Sequence, residues 1–142
     1  MPKRKANAEW KGTLPDGNGT VALDSGAFQG AYSFSSRFEE GVGTNPEELI
    51  AAAHSGCFSM ALSGALGKSN YKPQSIKTQA IVNLAKDDGG FTITEIELVC
   101  KAHVPDIDEA EFKKIAEGAK ENCPVSRLLT GAKIKLSATL HN

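Results

Sequence analysis

The stretch GTNPEELIAAAHSGCFSMALSGALG, residues 43–67, decides the fold. Asn45 is a favourable N-cap, Pro46 suits the first helical position, and Glu48 stands where a capping carboxylate reaches back. Apolar residues then recur at helical spacing, which predicts a buried stripe containing a thiol. The stripe consists of Ile50, Ala53, Cys57, Met60, Ala61 and Gly64. The sequence therefore predicts a central helix that carries Cys57 and stops at Gly67.

Many residues of this helix are small, although Gly and Ser are poor helix formers. They are Ala51, Ala52, Ala53, Ser55, Gly56, Ser59, Ser63 and Gly64. Small side chains let a second element approach closely, so we expect another helix or chain to pack against this one.

Composition limits the classes of function. The 142 residues suit one domain over 1–142, and a hydrophobic content of 40% is ordinary for a soluble globular protein. A net charge of −1 provides no basic field for nucleic acid. No run approaches the roughly 18 apolar residues of a membrane span, so we predict a cytoplasmic protein without a membrane partner. Three cysteines there are not expected to form a structural disulfide framework, and a redox role becomes worth testing.

The other elements are strands and helices on either side of the central helix. In order they are strands from Ala6 and over 20–23 and 31–35, a hairpin of strands 76–84 and 91–104, a helix after Asp108, a helix over 125–130 and a strand over 134–140. A change of face near Thr94 predicts a bulge in the hairpin. Adjacent, hairpin-linked strands indicate an α+β fold with antiparallel sheets packed around the central helix. The short N-terminal strands cannot shield that helix alone, so we expect an intertwined homodimer.

The three cysteines have different contexts. Cys100 is in phase with apolar strand residues and is predicted to be a buried hydrophobe. Cys123 precedes Pro124 at the start of a short helix, where the N–H groups favour a thiolate. Cys57 lies on an apolar helix face, where burial makes a thiol inert unless a cation is close. The upstream candidates are Arg37 and, less plausibly, His54.

Arg37 and Glu47 suit each other, since a carboxylate can bind a guanidinium through two parallel hydrogen bonds. The alternative is a surface salt bridge worth under about 1 kcal/mol. Glu47 and Cys57 are ten residues apart, about 15 Å along a helix. If they serve one site, either Arg37 bridges them or Glu47 comes from a neighbouring chain.

Three motifs stand out: Thr44-Asn45-Pro46-Glu47-Glu48-Leu49, Ala52 to Leu62 around Cys57, and Asn122-Cys123-Pro124-Val125-Ser126. Together they resemble the OsmC/Ohr family of osmotically inducible protein C and organic hydroperoxide resistance peroxidases. The resemblance covers nearly the whole chain. The position of Arg37 and the context of His54 resemble the OsmC branch, and the only departure noted is Gly56, where the family often has Ala.

The resemblance implies a dimeric, OsmC-like fold and a thiol peroxidase without a cofactor or metal. It assigns the peroxidatic role to Cys57 and the resolving role to Cys123, an order that spacing alone leaves open. Arg37 would then hold the thiolate and polarise the peroxide, and Glu47 would orient Arg37. The implied partners are an organic hydroperoxide and an external dithiol reductant, whether a lipoyl protein, thioredoxin or a small thiol.

Two alternatives remain. One is a Cys/His metal site built from His54, Cys57, Cys123 and either His103 or His141, although no CxxC or HxxxH spacing supports it. The other is a non-catalytic interaction protein with unreactive core cysteines.

Overall fold

The protein, a computed structural model in which all residues 1–142 are described, consists of strands and helices in roughly the predicted order. They are β1 (Ala6–Lys11), β2 (Asn18–Leu23), β3 (Gln29–Tyr32), α1 (Phe34–Phe38), α2 (Pro46–Lys68), β4 (Ser75–Asp87), β5 (Gly90–His103), α3 (Glu109–Asn122), α4 (Pro124–Leu128) and β6 (Lys133–Leu140). Two compact units form, Met1–Leu49 and Ile50–Asn142, and their boundary falls inside α2. The predicted α+β class is confirmed.

The first unit contains an antiparallel sheet in the order β1-β2-β3. The third strand ends at Tyr32, so the expectation that it continues to Ser35 is wrong. Ser33 and Ser36 instead exchange side-chain and backbone hydrogen bonds in a capping box that starts α1. Arg37 therefore lies in the last turn of a short helix.

The second unit contains the predicted hairpin. Asp87 pairs with Gly90 across a two-residue turn, the geometry that an Asp-Gly pair favours. Farther along, the pairing shifts from Asn83 opposite Glu95 to Leu84 opposite Ile93. Thr94 is thus the extra residue of a bulge, as predicted from the change of face.

Strand β6 pairs with β5 in the parallel sense, so the second sheet, in the order β4-β5-β6, is mixed. The prediction that both sheets are antiparallel is therefore wrong for this sheet. The chain between the two strands forms α3 and α4, and a parallel pair requires a crossover of that kind. Residues of β5, α2 and α3 form the hydrophobic core of this unit, with Ile96, Leu98, Phe58 and Phe112 fully buried.

The N-terminus of α2 is capped largely as predicted. The Asn45 side-chain oxygen accepts a hydrogen bond from the backbone N–H of Glu48 at 2.8 Å. The Glu48 carboxylate does not complete a capping box, because it accepts a hydrogen bond from the Thr44 hydroxyl at 2.8 Å. The helix runs one residue past Gly67, to Lys68.

The predicted buried stripe of α2 is wrong. The fully buried side chains are His54, Phe58, Leu62 and Leu66, while Met60 is 78% exposed. The helix carries apolar side chains on all of its faces, so their spacing in the sequence does not fix which face points into the core. The opposite face is open: a Cβ added at Gly56, Gly64 or Gly67 would meet no atom within 4 Å.

By length and composition alone, α2 could cross a membrane, since its 23 residues include a window of mean hydropathy 1.4. This differs from the expectation that no segment would approach a span. Ala residues between the larger apolar side chains keep the mean hydropathy high, although Gly, Ser and His interrupt the apolar run. The core helix of a soluble protein meets the same criterion, so the property is weak evidence about where the protein resides.

Candidate active site

Two of the predicted site residues, Cys57 and Cys123, meet in the second unit. Cys57 lies near the middle of α2, and Cys123 lies at the junction of α3 and α4, where Pro124 starts a new helix. Their sulfur atoms are 2.9 Å apart, with the Cys123 thiol donating to Cys57, and both cysteines are free thiols. Cys57 is half-buried, whereas Cys123 is fully buried. A small molecule from solvent therefore reaches Cys57 more readily.

The two thiols differ in acidity. Burial raises the pKa of Cys57, and its hydrogen bond with Cys123 raises it further, against a smaller opposing effect of the Val125 backbone N–H. Burial also acts to raise the pKa of Cys123, but hydrogen bonding with Cys57 and with the backbone and side chain of Ser126 outweighs it and lowers the pKa overall. Because the thiols share one hydrogen bond, whichever ionises first is stabilised by the other.

Ser126 also binds His54. The imidazole Nε2 lies 2.7 Å from the Ser126 hydroxyl oxygen, and both residues are buried. Burial lowers the pKa of His54, which keeps the ring neutral at pH 7. His54 is therefore not the cation beside Cys57 that the sequence offered as a less plausible candidate.

The other two predicted residues, Arg37 and Glu47, meet in the first unit. The Arg37 Nη2 donates to one Glu47 carboxylate oxygen at 2.6 Å, and its Nε lies 3.2 Å from both oxygens. The Glu47 side chain is 10% exposed and that of Arg37 34% exposed. Nη1 makes no hydrogen bond within the chain. The carboxylate thus fixes the guanidinium and leaves donors for an external oxygen.

An apolar cavity of about 440 Å³ opens beside Arg37 in the same unit. Its side chains are Trp10, Leu14, Tyr32, Phe34 and Phe38. The guanidinium carbon of Arg37 lies 5.2 Å from the centre of the Phe38 ring, a cation–π distance. The cavity therefore combines a hydrophobic wall with one positive group.

Cys100 occupies the position predicted for it. It is fully buried in the core on β5, and burial raises the pKa of its thiol, with a partly opposing hydrogen bond from the Thr78 side chain. For the alternative metal site, no group of three or more His, Cys, Asp or Glu side chains comes together in a suitable arrangement.

Sequence reasoning missed Ser126 and the buried contact of His54. A signal for Ser126 was present, because a hydroxyl three residues after Cys123 falls in the first turn of a helix that begins at Pro124. The pairing of His54 with Ser126 spans 72 residues, which no local pattern indicates.

Comparison with known proteins places these residues in a wider context. A family model described as OsmC-like protein matches residues 39–137. The chain is 50% identical over 127 residues to peroxiredoxin OsmC of Escherichia coli (strain K12), covering 89% of each. It is 34% identical over 92 residues to the organic hydroperoxide resistance protein of Xanthomonas axonopodis pv. citri (strain 306), covering 64% of this chain and 63% of that protein. The crystal structure of the organic hydroperoxide resistance protein OhrB of Bacillus subtilis matches with a TM-score of 0.72 at 26% identity, covering 95% and 98% of the two chains.

Proposed function

The chain belongs to the OsmC-like protein family, and on that basis we propose that it is a thiol-dependent peroxidase that reduces organic hydroperoxides. The observation that carries the proposal is the 2.9 Å contact between the sulfurs of Cys57 and Cys123. Two free thiols at that separation form a disulfide once one of them is oxidised, with little movement of the backbone. Relatives named peroxiredoxin and organic hydroperoxide resistance protein support the same chemistry.

Cys57 is the peroxidatic residue in this proposal. Its thiolate attacks the terminal oxygen of the hydroperoxide, an S–O bond forms, the O–O bond breaks, and an alkoxide leaves and takes up a proton. The sulfur loses two electrons and becomes a sulfenic acid. The partial exposure of Cys57 and the full burial of Cys123 support this order.

Cys123 is the resolving residue. Its thiolate attacks the Cys57 sulfur, an S–S bond forms, and the S–O bond breaks with release of hydroxide, which takes up a proton to become water. An external dithiol then exchanges with the disulfide and restores both thiols while it is itself oxidised. The cycle needs no bound cofactor.

Arg37 supplies the charge that Cys57 lacks. Because burial and Cys123 both raise the pKa of Cys57, its thiolate requires a cation, and the free Nη1 donors of Arg37 provide one. The same group stabilises negative charge on the leaving oxygen. Glu47 holds the guanidinium in a fixed orientation through the bidentate contact. The apolar cavity beside Arg37 suits the organic part of a hydroperoxide better than hydrogen peroxide.

We further propose that two chains form an intertwined homodimer and share each site. The open face of α2, with Met60 78% exposed, offers the apolar, small-residue surface that a second chain would cover. The ten-residue spacing excludes direct contact between Glu47 and Cys57 within one helix, and we propose that Arg37 and Glu47 come from the partner of the chain that carries Cys57.

A peroxidase assay tests the function. Purified protein is mixed with cumene, tert-butyl or hydrogen peroxide and with dihydrolipoamide, thioredoxin or dithiothreitol as reductant. We expect catalytic loss of the organic hydroperoxides, slower loss of hydrogen peroxide, and no turnover in Cys57→Ser. If no combination of peroxide and reductant is turned over and the thiols stay free, the chain is the non-catalytic interaction protein of the alternative hypothesis.

A further inference from the structure

His54 is a fully buried titratable side chain that the proposed reaction leaves without a task. It lies on the core face of α2, one turn before Phe58, and its only hydrogen bond joins Nε2 to the Ser126 hydroxyl at 2.7 Å. The other ring nitrogen, Nδ1, is buried and has no hydrogen-bond partner. Ser126 lies three residues after Cys123, in the first turn of α4, where the residue three positions past an N-cap stands beside the capping residue; its hydroxyl acts to lower the pKa of Cys123.

Because the His54 imidazole has a single hydrogen-bond partner, the Ser126 hydroxyl, the position of the ring hydrogen decides which of the two groups donates. A neutral imidazole carries one hydrogen, either on Nε2 or on Nδ1. A hydrogen on Nδ1 would be a buried donor without an acceptor, and the Ser126 hydroxyl would then have to donate to Nε2 and away from the cysteine. A hydrogen on Nε2 is donated to the Ser126 oxygen and frees the hydroxyl hydrogen for the Cys123 sulfur. The second arrangement leaves no donor unpaired.

We propose that His54 and Ser126 are positioning residues for the resolving cysteine: the imidazole donates to the serine hydroxyl, and the hydroxyl donates to the Cys123 sulfur. This donor chain stabilises Cys123 as a thiolate. The proposal rests on the peroxidase function proposed above and adds two residues to it.

The donor chain serves both halves of the cycle. When Cys123 attacks the Cys57 sulfenic acid, it acts as the thiolate that forms the S–S bond while hydroxide leaves. When the external dithiol attacks the more exposed Cys57 sulfur, the S–S bond breaks and its electron pair stays on Cys123. A leaving thiolate that accepts hydrogen bonds leaves faster.

Few other groups act on this sulfur. The Cys57 sulfur lies 2.9 Å from it, and the backbone N–H groups of Val125 and Ser126 also act to lower its pKa. The nearest charged residues along the chain, Glu121 and Arg127, are exposed. The His54–Ser126 contact is thus the part of the environment that substitution can remove without altering Cys57.

The titration of Cys123 is the first test. In a Cys57→Ser, Cys100→Ala background, the ultraviolet absorbance of the thiolate is followed against pH. Loss of one hydrogen bond to an ionised group should raise the pKa of Cys123 by about one unit in Ser126→Ala and in His54→Phe. Ser126→Thr, which keeps the hydroxyl, should titrate like the parent. Ser59→Ala is the matched control, because it removes a serine hydroxyl from α2 that bonds to Thr78.

The kinetics of the otherwise wild-type chain are the second test. With tert-butyl hydroperoxide, Ser126→Ala should form the Cys57 sulfenic acid at the normal rate but close the disulfide about three- to tenfold more slowly at neutral pH, since a smaller thiolate fraction is partly offset by higher intrinsic nucleophilicity. Unchanged titration and unchanged closure in Ser126→Ala, which removes one hydroxyl only, would overturn the proposal even if His54→Phe fails to fold. Absence of sulfenic acid in the wild-type chain would instead refute the peroxidase function itself.

Discussion

Cys100 and Cys123 are both fully buried in the second unit, yet their acidities move in opposite directions. Burial raises the pKa of Cys100, and one threonine hydroxyl only partly opposes it. Cys123 experiences the same effect of burial, but hydrogen bonding with Cys57 and Ser126 lowers its pKa. The comparison teaches that burial alone produces an inert thiol, and that the donors around the sulfur decide whether it can react.

The largest expected effect is a difference in peroxidase activity between loss of the Cys57–Cys123 pair and loss of Cys100. Cys57→Ser removes the sulfur that Cys123 contacts and should abolish peroxidase turnover. Cys100→Ala should retain turnover close to the wild-type rate and lose only stability, by roughly 1 kcal/mol for one small buried group. Steady-state assays with cumene hydroperoxide, paired with thermal unfolding, measure both. Loss of turnover in Cys100→Ala with an intact fold would erase the distinction between the two buried thiols.

The next effect concerns the rate at which Cys57 is oxidised. If Cys57 reacts because Arg37 compensates for its raised pKa, Arg37→Ala should slow sulfenic acid formation by about 10²–10³-fold. Arg37→Lys keeps the charge without the bidentate contact to Glu47, so we expect an intermediate rate. Stopped-flow measurement of the first oxidation step gives these values. Equal rates in all three chains would remove Arg37 from the mechanism.

A subunit-mixing experiment tests which chain of the proposed dimer supplies Arg37 to each Cys57. Equal amounts of Arg37→Ala and Cys57→Ser chains, unfolded and refolded together, should recover about a quarter of the wild-type activity, because half of the dimers then contain one complete site of two. Each variant refolded alone is the control. Recovery of no activity, with mixed dimers demonstrated by mass, would place Arg37 and Cys57 of one site on the same chain.

The smallest expected effect is the contribution of His54, the hydrogen-bond partner of Ser126, to the pH dependence of the free energy of unfolding. The folded state lowers the pKa of His54 from about 6.5, so the unfolded chain takes up a proton first as pH falls. Stability should therefore be fully present above about pH 6.5 and decrease below it until the folded pKa is reached. His54→Gln should flatten this part of the curve in urea unfolding. An identical slope in the variant would assign the acid sensitivity to other groups.

Much of the fold was predictable because local signals agreed with it. The Asn45 cap, the Asp-Gly turn and the change of face at Thr94 each depend on a few neighbouring residues, and each was confirmed. The buried face of α2 was not predictable, since a helix that is apolar all round has no unique stripe. Helix α1 was missed because its Ser33–Ser36 capping box lacks the usual acidic or amide residue and follows a strand directly.

The site was predictable only in part. Arg37 and Glu47 were matched from their chemistry, and the structure brings them into bidentate contact. Cys57 and Cys123 are 66 residues apart, and no periodicity links them, so their pairing came from the resemblance to a family. The contact of His54 with Ser126 depends on how α4 packs on α2, which only the folded chain specifies.

The most direct test of the account is a peptide map of the chain after treatment with one equivalent of tert-butyl hydroperoxide. We predict loss of two hydrogen atoms from the intact mass, a Cys57–Cys123 linked peptide, and a free Cys100. A bridge that includes Cys100, or free thiols at both Cys57 and Cys123 after the treatment, would contradict it.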